Sequence, residues 1–127
     1  MSPVRVWWRR VRSRLLASSE QLEAEDLLGQ TRQAGAVPMA ELTAGAVSKV
    51  HGVVSSITFR PRQVLPLLEV DLYDGSGAVS LVWLGRRRLS GIEPGRTVTA
   101  SGRVVSYRGR AAIFNPRYSL RAKAEGQ

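Results

Sequence analysis

What this chain lacks narrows the possibilities first. It has no cysteine among 127 residues, which excludes a disulfide framework and any thiolate-based zinc site and makes a reducing compartment the simplest setting. Its one histidine, His51, stands among valines without a thiol or second imidazole to partner it, so a structural role outweighs catalysis. Apolar runs are short. None approaches the roughly 20 residues of a membrane-spanning helix, and none forms the uninterrupted centre of a secretory leader. Lysine is nearly missing too: of 19 basic side chains all but Lys49 and Lys123 are arginine. Arginine favours flat, bidentate and stacking contacts over a point charge, although codon bias in a GC-rich genome gives the same ratio. Acids are few, 10 against 19, and the resulting net charge of +9 with a pI near 11.4 points to a polyanionic partner.

A chain of this length is one domain with appendages and can bury a core. Its charge is unevenly spread. Residues 1–17 hold Arg5, Arg9, Arg10, Arg12 and Arg14 and no acid, whereas residues 18–45 set Arg32 against Glu20, Glu23, Glu25, Asp26 and Glu41. In the first segment Val4, Trp7, Trp8, Val11, Leu15 and Leu16 recur at three- and four-residue spacing, the pattern of a basic amphipathic helix. Packing on the rest of the protein, contact with nucleic acid or a partner, and lying on an anionic membrane surface all fit it. Ser18 or Ser19 can cap a second, acidic helix that fades by Gly35, with Leu22, Leu27 and Leu28 near one face. A connector with Pro38 follows, so residues 1–45 form a helical N-terminal arm.

From residue 46 the texture changes to strands. Residues 47–59 are rich in β-branched side chains, interrupted by Gly52, which suits a bulge or sharp coil. In residues 67–73, Leu68, Val70 and Leu72 alternate with Glu69, Asp71 and Tyr73, as in a strand with one buried face. Asp74-Gly75-Ser76-Gly77 supplies a tight reversal into residues 78–84, and three arginines, Arg86, Arg87 and Arg88, follow. A fourth strand over 97–106 and a fifth over 111–120 flank the Tyr107-Arg108-Gly109-Arg110 turn. The pattern predicts a mainly β chain: a five-stranded Greek-key OB-type barrel over residues 46–120, preceded by the helical arm and followed by a flexible tail, 121–127. The excursion between strands three and four is short for a helix.

The order of several fragments then carries a resemblance. Val-His-Gly-Val-Val at 50–54, Asp74-Gly75-Ser76-Gly77, Val82-Trp83-Leu84, Glu93-Pro94-Gly95, Ser101-Gly102-Arg103-Val104 and Asn115-Pro116-Arg117-Tyr118 resemble the OB-fold nucleic-acid-binding family. Within it they are similar to the wedge domain of RecG-type branch-migration helicases and to small actinobacterial OB-fold proteins with a helical N-terminal arm. The resemblance implies a non-catalytic binder of single-stranded or branched DNA, or of RNA, serving replication, repair or recombination, with a helicase or other repair protein as partner and a cytoplasmic, nucleoid-associated location. It implies no cofactor or metal. The chain has no Walker A glycine-lysine motif, so any motor would belong to another protein.

Single-strand binders pair a basic groove with aromatic platforms, centred in OB barrels on strands two and three and their flanking loops. The aromatic candidates are Phe59, Tyr73, Trp83, Phe114 and Tyr118. Tyr73 is expected outward and Phe114 outward opposite Ile113, while Trp83 suits the core as well as a stacking role. Tyr118 matches the family ending but also suits a buried structural position. The phosphate candidates are Arg60, Arg62, Arg86, Arg87, Arg88, Arg103, Arg108, Arg110 and Arg117. Glu69, Asp71 and Asp74 formally permit a metal site, yet the turn explains Asp74, and strand carboxylates more often face solvent or pair with arginine. A second reading stays open: a protein-docking or membrane-surface adaptor that uses the barrel and the Trp-containing arm.

Overall fold

In the computed structural model, which describes residues 18–121, the alternation of residues 67–73 becomes the wall of a barrel. Among the described residues one helix, α1 (Ser18–Gln33), and a single 3-10 turn (Met39–Glu41) precede six strands: β1 (Val47–Arg60), β2 (Leu67–Tyr73), β3 (Ala78–Leu84), β4 (Thr97–Tyr107), β5 (Arg110–Phe114) and β6 (Arg117–Leu120). Around the ring β1 pairs with β2, β2 with β3, β3 in parallel with β5, β5 with β4, and β4 back with β1. Closure leaves none of the five strands as a bare sheet edge. Leu68, Val70 and Leu72 of β2 point inward with Val79, Leu81, Val98, Val104 and Ile113, all essentially solvent-free. Among the described residues no helix is long and apolar enough to cross a membrane. The basic helix expected before residue 18 lies outside the described residues, as does the tail beyond Arg121.

Three expectations need correction. The fifth strand is two, because Asn115 sits at φ 50 and Pro116 has no N–H for the ladder. Asn115 compensates: its N–H donates to the Val82 carbonyl (2.6 Å), and its Oδ1 accepts from the Leu84 N–H (3.0 Å). The bulge in β1 falls between Val54 and Ser56, not at Gly52. Gly52 is required for close approach instead, since a Cβ there would lie 2.7 Å from the Tyr73 carbonyl oxygen and 2.8 Å from the Met39 methyl. Finally, Leu22 does not share a face with Leu27 and Leu28. It is 63% exposed, whereas Leu27 and Leu28 are half-buried.

The segment read as a connector also contains a core residue. Met39 is fully buried and stops one end of the barrel. Asp74, equally buried, holds it there: Oδ2 accepts from the Met39 N–H (2.8 Å), while Oδ1 accepts from Ser76 N–H, Ser76 Oγ–H and Gly77 N–H at 2.9, 2.7 and 3.0 Å. One carboxylate thus closes the β2–β3 turn and anchors the plug.

Over that turn lies α1, whose Ala24, Leu27, Leu28 and Thr31 recur at three- and four-residue spacing on the inner side. The Thr31 hydroxyl lies 3.1 Å from the His51 carbonyl oxygen and 3.2 Å from that of Leu27, a shared hydrogen bond. Burial holds the His51 imidazole below its usual range, and the Arg121 and Lys49 charges push the same way against Asp74. The ring shares a 2.7 Å hydrogen bond with Thr99 Oγ1. Because the folded value is the lower one, protonation of the unfolded chain draws stability away once pH falls below the unfolded value of 6.5.

Gly75 (φ 89) sits so close to α1 that an added Cβ would overlap the Ala24 carbonyl. Gly75→Ala is therefore expected to lift α1 from the barrel. Amide hydrogen exchange should accelerate across α1 while β2 and β4 keep their protection, and unchanged α1 protection would contradict this packing.

Candidate functional site

The outer face of the barrel takes the residues that alternate with the core: Glu69 and Asp71 on β2, opposite Thr58 and Ser56 on β1 and Val82 and Ser80 on β3. Ser80 and Val82 point outward and yet are buried (1% and 0% exposed), so something covers them. The cover is the β4–β5 hairpin. Tyr107 and Arg110, on either side of the Arg108–Gly109 turn, reach across β3 to the two carboxylates of β2.

Each carboxylate is the centre of a small network. Glu69, 3% exposed, accepts at Oε1 from Arg60 Nε (2.7 Å) and from the Tyr107 hydroxyl (2.8 Å). Asp71 accepts from Ser80 Oγ at Oδ1 (2.8 Å), and from Ser56 Oγ (3.0 Å) and Arg110 Nη1 (3.3 Å) at Oδ2. The Tyr107 ring meets Phe114 edge to face, with centroids 5.2 Å apart and an interplanar angle of 89°. Phe114 stays 38% exposed. The middle of the face is thus charge-compensated and aromatic, and its margins carry the exposed arginines.

Burial on its own would raise the Glu69 carboxyl. Hydrogen bonds from Arg60 and Tyr107, together with the Arg60 and Arg108 charges, outweigh it and hold the group below its ordinary value of 4.5. A depressed carboxylate stabilises the folded state above that unfolded value, and the contribution is lost as pH falls through the folded one. Removing one donor should shrink it. In urea titrations the wild type should exceed Tyr107→Phe at neutral pH, and the gap should narrow below about pH 4.5. A gap independent of pH would show that the hydroxyl does not stabilise the ionised form.

The candidate residues divide into groups. Arg60, Arg110 and Phe114 come together on the outer face, with Arg108 at the hairpin tip and half-buried Tyr73 at the far end of β2. Arg60 and Arg110 are each held by a carboxylate rather than standing as open phosphate ligands. Trp83 is a core residue, 6% exposed, in edge-to-face contact with Tyr118 (5.5 Å, 77°), so it offers no ring face to a base. Tyr118, half-buried, packs against the same core. Phe59 lies at the end of β1 with its register on the inner side, and the Arg87 guanidinium covers it 5.7 Å from the ring centroid. Arg62, Arg86 and Arg88 are exposed in the loops at that end, Arg103 donates to the Gly45 carbonyl (2.5 Å), and Arg117 is exposed on β6.

Tyr107 was absent from the aromatic candidates because it reads as a turn residue. A signal did exist, since it shares parity with Arg103 and Val105 against inward Val104. That its hydroxyl would reach a carboxylate on β2, a strand with which β4 does not pair, had no sequence signal.

The OB-fold nucleic acid binding domain family matches residues 48–124. Two solved structures share the fold at 23% identity and a TM-score of 0.55. One is RecG bound to a three-way DNA junction, where the match covers 71% of this chain and 13% of that one. The other is the OBody AM1L10 bound to hen egg-white lysozyme, covering 69% and 92%. No curated protein matches the chain. This chain therefore spans only a small part of RecG's length.

Proposed function

Because the chain belongs to the family of OB-fold nucleic-acid-binding domains, we propose that its outer face binds single-stranded or branched DNA and catalyses no reaction. The observation that carries this reading is the Tyr107–Phe114 aromatic pair, joined through the Tyr107 hydroxyl to the Arg60–Glu69 pair on a face that also holds the Arg110–Asp71 pair and exposed arginines. Bases stack on rings in a zone without net charge, and phosphates settle on the margin, where Arg62, Arg86, Arg88, Arg108 and Arg117 are exposed. Compensation of Arg60 and Arg110 by Glu69 and Asp71 keeps the centre from acting as a general polycation. Such a binder serves replication, repair or recombination beside a helicase or other repair protein, and works at the nucleoid in the cytoplasm.

Fluorescence anisotropy of labelled single-stranded, duplex and forked oligonucleotides, in DNA and RNA, tests the proposal on the full chain. Single-stranded or forked DNA should bind more tightly than duplex DNA or RNA. Five phosphate contacts would give a logarithmic salt slope of about −3.5, from roughly −0.7 per contact on single strands. Arg86→Ala combined with Arg88→Ala should flatten that slope by roughly 1.4, at the same value per contact. Equal affinity for all oligonucleotides, with a slope unmoved by these changes, would overturn the reading.

A further inference from the structure

The barrel carries opposite chemistry at its two ends. Beyond β1, the loop over residues 61–66 holds Val64 90% exposed and Leu65 49% exposed, beside Leu84 at 38%. With Pro61 and Leu67 they line an open groove of about 610 Å³. Prolines bracket the loop, and the Gly85 N–H donates to the Pro66 carbonyl (2.7 Å), so its apolar side chains are held outward on a fixed frame. Arg62 lines the groove, and exposed Arg86 and Arg88 follow Gly85 directly.

At the other end α1 lies against the β2–β3 turn. Its outward side presents Leu22 (63% exposed), with Glu25 and Asp26 three and four residues on and Glu23 alongside, all exposed. An apolar side chain in an acidic frame is the complement of an apolar groove in a basic frame. The two belong to opposite ends of β2, which runs from Leu67 to Tyr73 and separates them by about 20 Å at roughly 3.3 Å per residue. A helix docked at one end cannot fill the groove at the other.

We propose that the groove receives α1 of a second copy of this chain, Leu22 entering between Val64 and Leu84 and Glu23, Glu25 and Asp26 meeting Arg62, Arg86 and Arg88. The contact joins two different surfaces, so an open head-to-tail assembly keeps a free groove and a free helix at its ends, whereas a closed ring or a reciprocal pair fills both. It requires no nucleic acid, but Arg62, Arg86 and Arg88 are also phosphate candidates of the outer-face reading, so the two occupants would compete for those side chains.

Sedimentation velocity of the full chain over a concentration series, without nucleic acid, is the test. The wild type should rise above the monomer mass of 13.9 kDa as concentration increases. Val64→Ser, at an exposed position where folding is not at stake, should weaken association about tenfold, in line with one valine left unburied. Reversing the helix (Glu23→Lys, Glu25→Lys, Asp26→Lys) should abolish association, and so should reversing the groove (Arg62→Glu, Arg86→Glu, Arg88→Glu). Mixing the two reversed proteins should restore it, because each helix then meets a groove of opposite sign. A wild type that stays monomeric, charge-reversed variants that still associate alone, or a mixture that remains monomeric would each overturn the proposal. So would a monomeric wild type whose Val64→Ser variant loses oligonucleotide affinity, which would assign the groove to nucleic acid.

Discussion

Replacing Phe114 by alanine should weaken single-stranded DNA binding by about 1–3 kcal/mol, roughly 5- to 150-fold, the range for removing one base-stacking ring. The ring is a third exposed, meets Tyr107 edge to face, and stands on the outer side of β5 opposite inward Ile113. Stability should fall by only about 1 kcal/mol, the order of the lost aromatic contact, since the ring is outside the inner core. Tyr107→Phe is the companion measurement. It keeps a ring on the face, so affinity should hold, while the Glu69 carboxylate loses a donor and the acid stability profile changes. Anisotropy at one fixed salt concentration compares both variants. Unaltered affinity in Phe114→Ala would remove the outer face as the stacking site. Trp83→Ala is the contrast: that ring is buried with Tyr118, and its loss should lower stability as a core cavity does, by about 3–5 kcal/mol.

Asp74→Ala should lower stability by about 3 kcal/mol or more, the largest effect expected of any single polar substitution here. The carboxylate is fully buried and accepts from Met39, Ser76 and Gly77. Alanine would leave buried N–H groups without acceptors, each worth about 1–3 kcal/mol, and would release the Met39 plug. Asp74→Asn should fall between, because one amide oxygen can replace Oδ1 in the turn while the amide nitrogen cannot accept from Met39 N–H. Urea midpoints at constant m-value check the order wild type, Asn, Ala. A loss below about 1 kcal/mol for alanine would mean that the turn closes without its side chain.

Much of this architecture was legible from period and punctuation. A strand's side chains alternate with period two, so Leu68, Val70 and Leu72 announced their face, and Asp74-Gly75-Ser76-Gly77 announced the reversal where Gly75 takes positive φ. Ile113 inward and Phe114 outward followed from the same parity. Where two chemistries share one periodicity spacing cannot choose: Trp83 suits core and platform equally, and its burial with Tyr118 edge to face against it makes it core. Gly52 looked like a bulge because a glycine in a strand signals either a bulge or a close approach. The approach of Met39, thirteen positions earlier in the chain, decides for the second.

By itself, then, the sequence determined the first four strands, most of their inward and outward sides, the hairpin turn and the excess of positive charge, because these depend on neighbours a few residues apart. Tertiary structure alone decided the rest. It gave Glu69 both Arg60 and Tyr107, drew Arg110 to Asp71, folded the β4–β5 hairpin over Ser80 and Val82, and turned Leu22 outward while Met39 went in. The physical reason is one of reach: a salt bridge or buried hydrogen bond acts over a few ångströms, and which groups come that close is fixed by the closing of the ring, not by their spacing along the chain.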